Sequence, residues 1–80
     1  MHYVYLLESN EVSGHRYVGL SIDLKRRLED HNSGKSRHTA KFRPWRLVTY
    51  IAFSNETKAE AFERYLKSVS GHAFAKKRPW

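Results

Sequence analysis

The chain has 80 residues, with 15 Lys or Arg, eight Asp or Glu, five His and no Cys. This length fits one domain at most, and the lack of Cys excludes a cysteine-ligated zinc site, a thiol nucleophile and a disulfide scaffold. A content of 40% hydrophobic and 14% aromatic residues is too rich for a disordered tail, and the formal net charge of +7 favours a polyanionic partner, nucleic acid before an acidic membrane.

The chain begins with a pattern typical of a β-hairpin. The aromatic and β-branched run Tyr3–Glu8 predicts a strand. Asn10–Gly14 has the residues of a turn, and Arg16–Gly19 predicts a second, shorter strand. Because only a short loop separates the two strands, we expect them to pair with each other.

A helix is predicted over Leu20–Ser33. Ser21 is suited to its N-cap and Asp23 to its first turn, where a negative charge meets the positive end of the helix dipole. Gly34 follows the helix and is suited to its C-terminal cap.

The helical period separates two adjacent arginines in this segment. A helix advances about 100° per residue, so Leu24 and Leu28 define a buried stripe. His31 falls on the same stripe and Arg27 at its edge, whereas Arg26 points to the opposite, solvated face. Arg27 is either an ordinary arginine that covers the core with its stem or a functional group at the rim. His31 is either a helix-end or core histidine or a functional one.

The segment Lys35–Arg46 lacks periodicity and interleaves basic residues with the rings of Phe42 and Trp45. Such a composition is typical of a nucleic-acid contact, in which cations meet phosphates and rings meet exposed bases. The alternative for Trp45 is a ring that fills the core. A second basic patch lies near the C-terminus, and the residues expected to bind nucleic acid are Lys35, Arg37, Lys41, Arg43, Arg46, Lys76, Lys77 and Arg78.

The C-terminal half predicts a strand and a second helix. Leu47–Phe53 is the strongest strand pattern, and its near-continuous apolar residues predict that both faces are covered. The capping box Thr57-Lys58-Ala59-Glu60 opens a helix that runs to about Ser70 and ends at Gly71. Its apolar stripe consists of Ala59, Phe62, Leu66 and Val69.

Glu63 lies near the edge of that stripe, where a carboxylate is partly desolvated and needs a partner. The ordinary explanation is an i,i+4 ion pair with Lys67. The other explanation is a bound cation, and Glu63 is the first choice among the carboxylates for a metal ligand.

The order ββαβα predicts an α/β sandwich of the α+β kind, in which a small three-stranded antiparallel sheet is flanked by helices. We expect a single domain over residues 1–80. Neither a signal peptide nor a membrane span is visible, so we expect a cytoplasmic protein without a membrane partner.

Four fragments, taken in order, resemble the GIY-YIG nuclease family: Tyr3-Val4-Tyr5, Tyr17-Val18-Gly19, the run Asp23–Asn32, and Glu63-Arg64-Tyr65-Leu66-Lys67. Each fragment alone is weak, but their order and spacing match over nearly the whole chain. The resemblance is to the small, stand-alone bacterial type, whose module also occurs in homing endonucleases, some restriction enzymes and the incision subunit of nucleotide-excision repair.

The resemblance implies a role for five side chains. Tyr5 and Tyr17 match the two motif tyrosines, one of which would orient or deprotonate the attacking water. Arg27 matches the arginine that steadies the negative charge on the phosphate in the transition state. His31 matches a histidine that assists the tyrosine or the phosphate. Glu63 matches the single carboxylate that binds the divalent metal, Mg²⁺, for which Mn²⁺ can substitute.

The function implied is a Mg²⁺-dependent endonuclease that hydrolyses DNA. Because the chain has no room for a module that reads bases, we expect structure selectivity or low sequence specificity. Tyr3 replaces the glycine of the first motif, and the polar residue that follows the metal glutamate in larger members has only Ser70 and His72 as candidates. The alternative is therefore a catalytically weak or inactive nucleic-acid-binding module that acts within a larger assembly. An RNA-binding accessory protein is a weaker third reading.

Overall fold

The computed structural model of the chain describes residues 1–12 and 14–68. Its elements are the strands β1 (His2–Ser9), β2 (Arg16–Ser21) and β3 (Trp45–Phe53) and the helices α1 (Leu24–Ser33) and α2 (Glu56–Lys67), with one 3-10 turn at Ala40–Phe42. The order ββαβα is the predicted one. Across the described ranges, the helices are too short or too polar to cross a membrane.

The three strands form one antiparallel sheet in the order β2-β1-β3, which confirms the predicted fold class. The central strand is β1, and its residues Val4–Leu7 are all buried. Tyr5 lies opposite Gly19 of β2 and opposite Tyr50 of β3. β1 is therefore both the central strand and a buried strand of the sheet.

Alternation along β1 divides the core between the two faces of the sheet. On one face Val4 packs with Ala59 and Leu66 of α2. On the other face Tyr5 and Leu7 pack with Trp45, and the apolar side of α1 completes this second cluster. Tyr5 therefore points into the layer between the sheet and α1.

The predicted start of the first helix was wrong. β2 continues to Ser21 because Tyr3 and Ser21 still pair across the sheet, so the residue expected to be the N-cap belongs to a strand. Asp23 is the actual N-cap, and its carboxylate accepts a hydrogen bond from the Arg26 amide at 3.2 Å. The predicted C-terminal cap is correct, since Gly34 has a left-handed φ of 84°.

The prediction that both faces of the third strand are covered was also wrong. β3 is an edge strand, and Leu47, Val48 and Tyr50 are 36%, 37% and 50% exposed. Its two ends pack in different layers, because Phe53 packs with the cluster that includes α2 and Trp45 packs with the cluster that includes α1. The strand also begins two residues earlier than predicted.

The second helix begins at Glu56, with Asn55 as its N-cap rather than the predicted capping box at Thr57. The Asn55 side chain accepts a hydrogen bond from the Lys58 amide at 3.0 Å. The helix ends at Lys67, earlier than predicted. The predicted stripe is present at Ala59, Phe62 and Leu66, whereas Val69, Ser70, Gly71 and His72 lie outside the described residues.

Candidate active site

The Tyr5 hydroxyl is the centre of the candidate site. Tyr5 is 2% exposed, and its ring leans across β2 over Gly19. A Cβ atom added to Gly19 would overlap the hydroxyl and the end of the ring. Glycine at this position therefore makes room for the tyrosine, so the second motif fragment accommodates a side chain of the first.

His31 is fully buried and connects two hydroxyl groups. Its Nε2 atom lies 2.9 Å from the Tyr5 hydroxyl, and its Nδ1 atom lies 2.7 Å from Oγ1 of Thr39. Burial, and then the positive charge of Arg27, lowers the pKa of His31 below its ordinary value. Both effects favour the neutral imidazole at pH 7.

Arg27 lies at the rim of the core, as its helical position predicts, while Arg26 is exposed. Interaction with the Tyr5 hydroxyl, which can accept from the guanidinium, raises the pKa of Arg27. Burial raises the pKa of Tyr5, and the interaction with Arg27 opposes part of that rise. The Nε atom of Arg27 is buried without a hydrogen-bond partner among the described residues. At least one of the five N–H donors of the guanidinium, the one on Nε, is therefore unpaired within the described part of the chain.

Tyr17 joins the cluster through its ring. The ring centroid lies 5.1 Å from that of His31, edge-on, and 6.4 Å from that of Tyr5. The ammonium group of Lys67 lies 5.7 Å from the same ring centroid. Lys67 belongs to the C-terminal end of α2, so this contact brings the second helix to the site.

Glu63, one helical turn before Lys67, is the acid of the cluster. Its carboxylate lies 3.1 Å from the Lys67 ammonium, which is the predicted i,i+4 pair, and its side chain is 21% exposed. The negative charge of Glu63 is close enough to Tyr5 to contribute to the raised pKa of that hydroxyl, after burial and the nearby tyrosine. The structure thus brings all five predicted site residues, Tyr5, Tyr17, Arg27, His31 and Glu63, into one cluster.

A divalent metal fits this cluster in one way. The described residues contain no group of three or more His, Asp or Glu side chains that could hold an ion. Glu63 nevertheless offers a hard oxygen donor, mostly covered but open to solvent on one side. Mg²⁺ characteristically binds through one or two carboxylates, with water and substrate phosphates as its other ligands. Glu63 is therefore the residue of this cluster that would hold such an ion, with water and substrate as the other ligands.

The basic residues predicted to bind nucleic acid differ in their surroundings. Lys35 pairs with Asp30 at 3.6 Å, Arg46 binds Glu8 and Asn10, and Arg43 packs against Gly34 at the end of α1. Arg37 and Lys41 are exposed. Lys76, Lys77 and Arg78 lie outside the described residues.

Trp45 fills the core, which is the second of its two predicted explanations. It is 3% exposed, and its indole Nε1 donates to the carbonyl of Thr39 at 2.8 Å. Phe42 stacks on His15 with ring centroids 3.7 Å apart. The aromatic residues of Lys35–Arg46 therefore anchor this segment to the sheet instead of presenting free rings.

Comparison with known proteins gives the family. A family model described as the GIY-YIG catalytic domain matches residues 1–78. The chain belongs to the GIY-YIG family. A relative, the UPF0213 protein BH0048 of Halalkalibacterium halodurans, is 39% identical over 70 residues, which cover 86% of this chain and 72% of the relative.

Two further matches extend this assignment. The solution NMR structure of the UPF0213 protein BH0048 from Bacillus halodurans has a TM-score of 0.57 at 36% identity, covering 94% of this chain and 79% of that one. A protein of Giardia intestinalis described as a structure-specific endonuclease subunit SLX1 homolog is 34% identical over 65 residues, 76% of this chain but 18% of that protein. The GIY-YIG domain is thus shared with a much longer protein.

Two residues of the candidate site were not predicted from the sequence. Thr39 is 1% exposed and bonds His31, but it lies in a segment without periodicity and carries no motif. Asn32 ends the motif run Asp23–Asn32, but no separate role was predicted for it. Its side chain accepts from the Trp45 amide at 2.5 Å and donates to the Trp45 carbonyl at 3.1 Å, which fastens the end of α1 to β3.

Proposed function

We propose that this GIY-YIG protein is an endonuclease that hydrolyses phosphodiester bonds of DNA. The observation that carries the proposal is the buried hydrogen bond between Tyr5 and His31, with the Arg27 guanidinium and the Glu63 carboxylate near the Tyr5 hydroxyl. Membership of a family whose model describes a catalytic domain supports it, as does the relative described as a structure-specific endonuclease subunit. The chemistry then requires a proton acceptor, charge neutralisation at phosphate and release of the leaving oxygen.

Tyr5 is our choice for the proton acceptor. A tyrosine with an ordinary pKa of about 10 is a poor base at neutral pH, so it needs a group that takes its own proton. Tyr5 has such a group at 2.9 Å in the neutral imidazole of His31, whereas Tyr17 contacts His31 through its ring. The proton of water would pass to the Tyr5 oxygen as the Tyr5 proton moves to Nε2. Tyr17 would then hold the imidazole in place.

Arg27 supplies the charge that meets the phosphate. Its guanidinium lies close enough to the Tyr5 hydroxyl for each group to shift the pKa of the other, so it would bind a non-bridging oxygen next to the attacking water. It also favours the phenolate form of Tyr5 during proton transfer, because an adjacent positive charge stabilises a developing negative one.

Glu63 would hold the divalent ion, with Mg²⁺ as the expected metal. When bound, the ion supplies Lewis-acid stabilisation of charge on the phosphate and the leaving oxygen. Glu63 is paired with Lys67, whose ammonium also lies near the Tyr17 ring, so the carboxylate is close to that side of the site. A matched pair of variants tests this role, since Glu63→Gln removes the charge and Glu60→Gln changes a carboxylate one turn away.

DNA contact would rest on the phosphate backbone. Arg37 and Lys41 are the exposed cations of the basic segment, while Arg46 is bound to Glu8 and therefore already neutralised in part. Each phosphate contact changes the salt slope of binding by about one counterion. We expect Arg37→Ala and Lys41→Ala each to flatten the slope of log Kd against log salt by about 0.9. Arg46→Ala should flatten it less.

Cleavage of supercoiled, branched, flapped and single-stranded DNA in Mg²⁺ and Mn²⁺ tests the proposal. Arg27→Ala, Glu63→Gln and Tyr5→Phe should abolish or strongly reduce cleavage while binding persists, and Tyr17→Phe should retain more activity than Tyr5→Phe. Cleavage that survives Glu63→Gln would show that the site is assigned wrongly. Tight binding with no turnover in either metal would favour the binding module instead.

A further inference from the structure

The hydrogen bonds around Tyr5 form a single chain with a direction. Its members are Tyr5, His31, Thr39 and the carbonyl of Ser36, and the Arg27 guanidinium interacts with Tyr5 at the other end. Hydrogen positions in such a chain follow from counting donors and acceptors at each member. Counting can begin from either end, and both ends lead to the same arrangement at His31.

The first end is Arg27. Its guanidinium interacts with the Tyr5 hydroxyl and has only donors, so toward Arg27 the Tyr5 oxygen can only accept. Tyr5 is buried, and burial raises its pKa, so the phenol keeps its proton and needs an acceptor for it. Nε2 of His31, at 2.9 Å, is the acceptor within reach among the described residues. Nε2 must therefore be without a proton.

The second end is the Ser36 carbonyl, which can only accept. Oγ1 of Thr39 donates to it at 3.4 Å, which uses the one proton of the hydroxyl. The hydroxyl lone pairs then face Nδ1 of His31 at 2.7 Å. A neutral imidazole has one N–H group, so Nδ1 carries the proton and donates it to Thr39.

We propose that Thr39 is a positioning residue that holds His31 in the tautomer with its proton on Nδ1 and keeps Nε2 open toward Tyr5. Thr39 suits this task because it is itself held in place. It is 1% exposed, its amide donates to Ser36 at 3.3 Å, and its carbonyl accepts from the indole of Trp45 at 2.8 Å. Hydrogen bonds thus hold both the amide and the carbonyl of Thr39, and the position of its side chain follows from them.

The consequence for catalysis rests on the proposed function. If Nε2 carried the proton, it would compete with Arg27 as a donor to the Tyr5 oxygen, and the Tyr5 proton would have no acceptor. Tyr5 could not then pass on a proton taken from water. Thr39 therefore acts through His31 on the reacting tyrosine, without touching substrate itself.

The experiment compares Thr39→Val with Thr39→Ser. Valine keeps the shape of threonine but cannot accept a hydrogen bond, whereas serine keeps the hydroxyl. Long-range proton–nitrogen NMR spectra of the 15N-labelled protein at pH 8 report which ring nitrogen of His31 is protonated. We expect Nδ1 in the unmodified protein and in Thr39→Ser, and a shift toward protonated Nε2 in Thr39→Val.

The cleavage rate provides the second measurement. Thr39→Val should lower kcat by about 10²-fold, the low end of a general-base contribution, and Thr39→Ser should restore most of it. If the protein cleaves nothing, the proposed function fails while the NMR spectrum still decides the tautomer. If Thr39→Val does not fold, the spectra of the unmodified protein and Thr39→Ser decide. Protonated Nε2 in the unmodified protein, or an unchanged tautomer in folded Thr39→Val, would overturn the proposal.

Discussion

Gly19→Ala should destabilise the protein although it places a methyl group on an ordinary strand. The new Cβ would overlap the buried Tyr5 hydroxyl, so the ring must move. Overpacking of this kind costs about 1–3 kcal/mol. The displaced hydroxyl also weakens its hydrogen bonds to Arg27 and His31, which are worth about 1 kcal/mol each. We expect a loss of about 2–4 kcal/mol in the free energy of unfolding, against a total of about 4–12 kcal/mol for a domain of this length.

Urea denaturation followed by circular dichroism measures that loss, and a double-mutant cycle assigns its cause. In a Tyr5→Leu background the methyl group meets no hydroxyl, and alanine is better than glycine in a strand by about 0.5–1 kcal/mol. Gly19→Ala should then be neutral or stabilising, which gives a coupling energy of about 2 kcal/mol or more. An equal destabilisation in both backgrounds would refute the argument that the glycine exists to accommodate Tyr5.

Three further predictions concern neighbouring side chains. Burial and a nearby positive charge lower the pKa of His31, so its contribution to stability is complete above about pH 6.5 and is lost as the pH falls toward the lower folded pKa. The unfolding free energy of His31→Gln should fall less steeply between pH 7.5 and 5 than that of the unmodified protein, and parallel curves would contradict this. Lys67→Met removes the ammonium that competes with a cation for Glu63. Because an exposed ion pair is worth up to about 1 kcal/mol, titration calorimetry should show Mn²⁺ binding that is about two- to fivefold tighter. Asn32→Ala leaves the Trp45 amide and carbonyl without their partner and should cost about 1–3 kcal/mol in urea denaturation, whereas an effect below about 0.5 kcal/mol would show that water replaces the side chain.

The sequence predicts the order of the elements and the relative placement of Arg26 and Arg27 correctly because both depend on local periodicity. The helix boundaries were less predictable, because capping residues compete with one another. Ser21, Asp23, Asn55 and Thr57 are all good N-caps by composition. Between Ser21 and Asp23, the pairing of β2 with β1 decides, because it places Ser21 in the sheet and leaves Asp23 as the N-cap of α1.

The exposure of β3 could not be predicted from its own residues. Its apolar run is consistent with a central strand, but the strand order makes β1 the central one. The contact of Thr39 with His31 depends on how the segment after α1 folds back over the sheet. No periodic pattern encodes that path, so the contact between Thr39 and His31 becomes visible only in the structure.

The edge position of β3 makes contact between two copies of the protein sensitive to the net charge. From Leu47 to Phe53 the strand has neither a charged residue nor a proline, and in the described part of the chain it pairs only with β1. Such an edge is a template for pairing with another strand. The net charge of +7 repels a second copy, and this repulsion weakens when salt screens it or when DNA phosphates neutralise it. Binding to DNA would therefore weaken the repulsion between two copies, and copies bound side by side would meet at these edges more readily than copies free in solution.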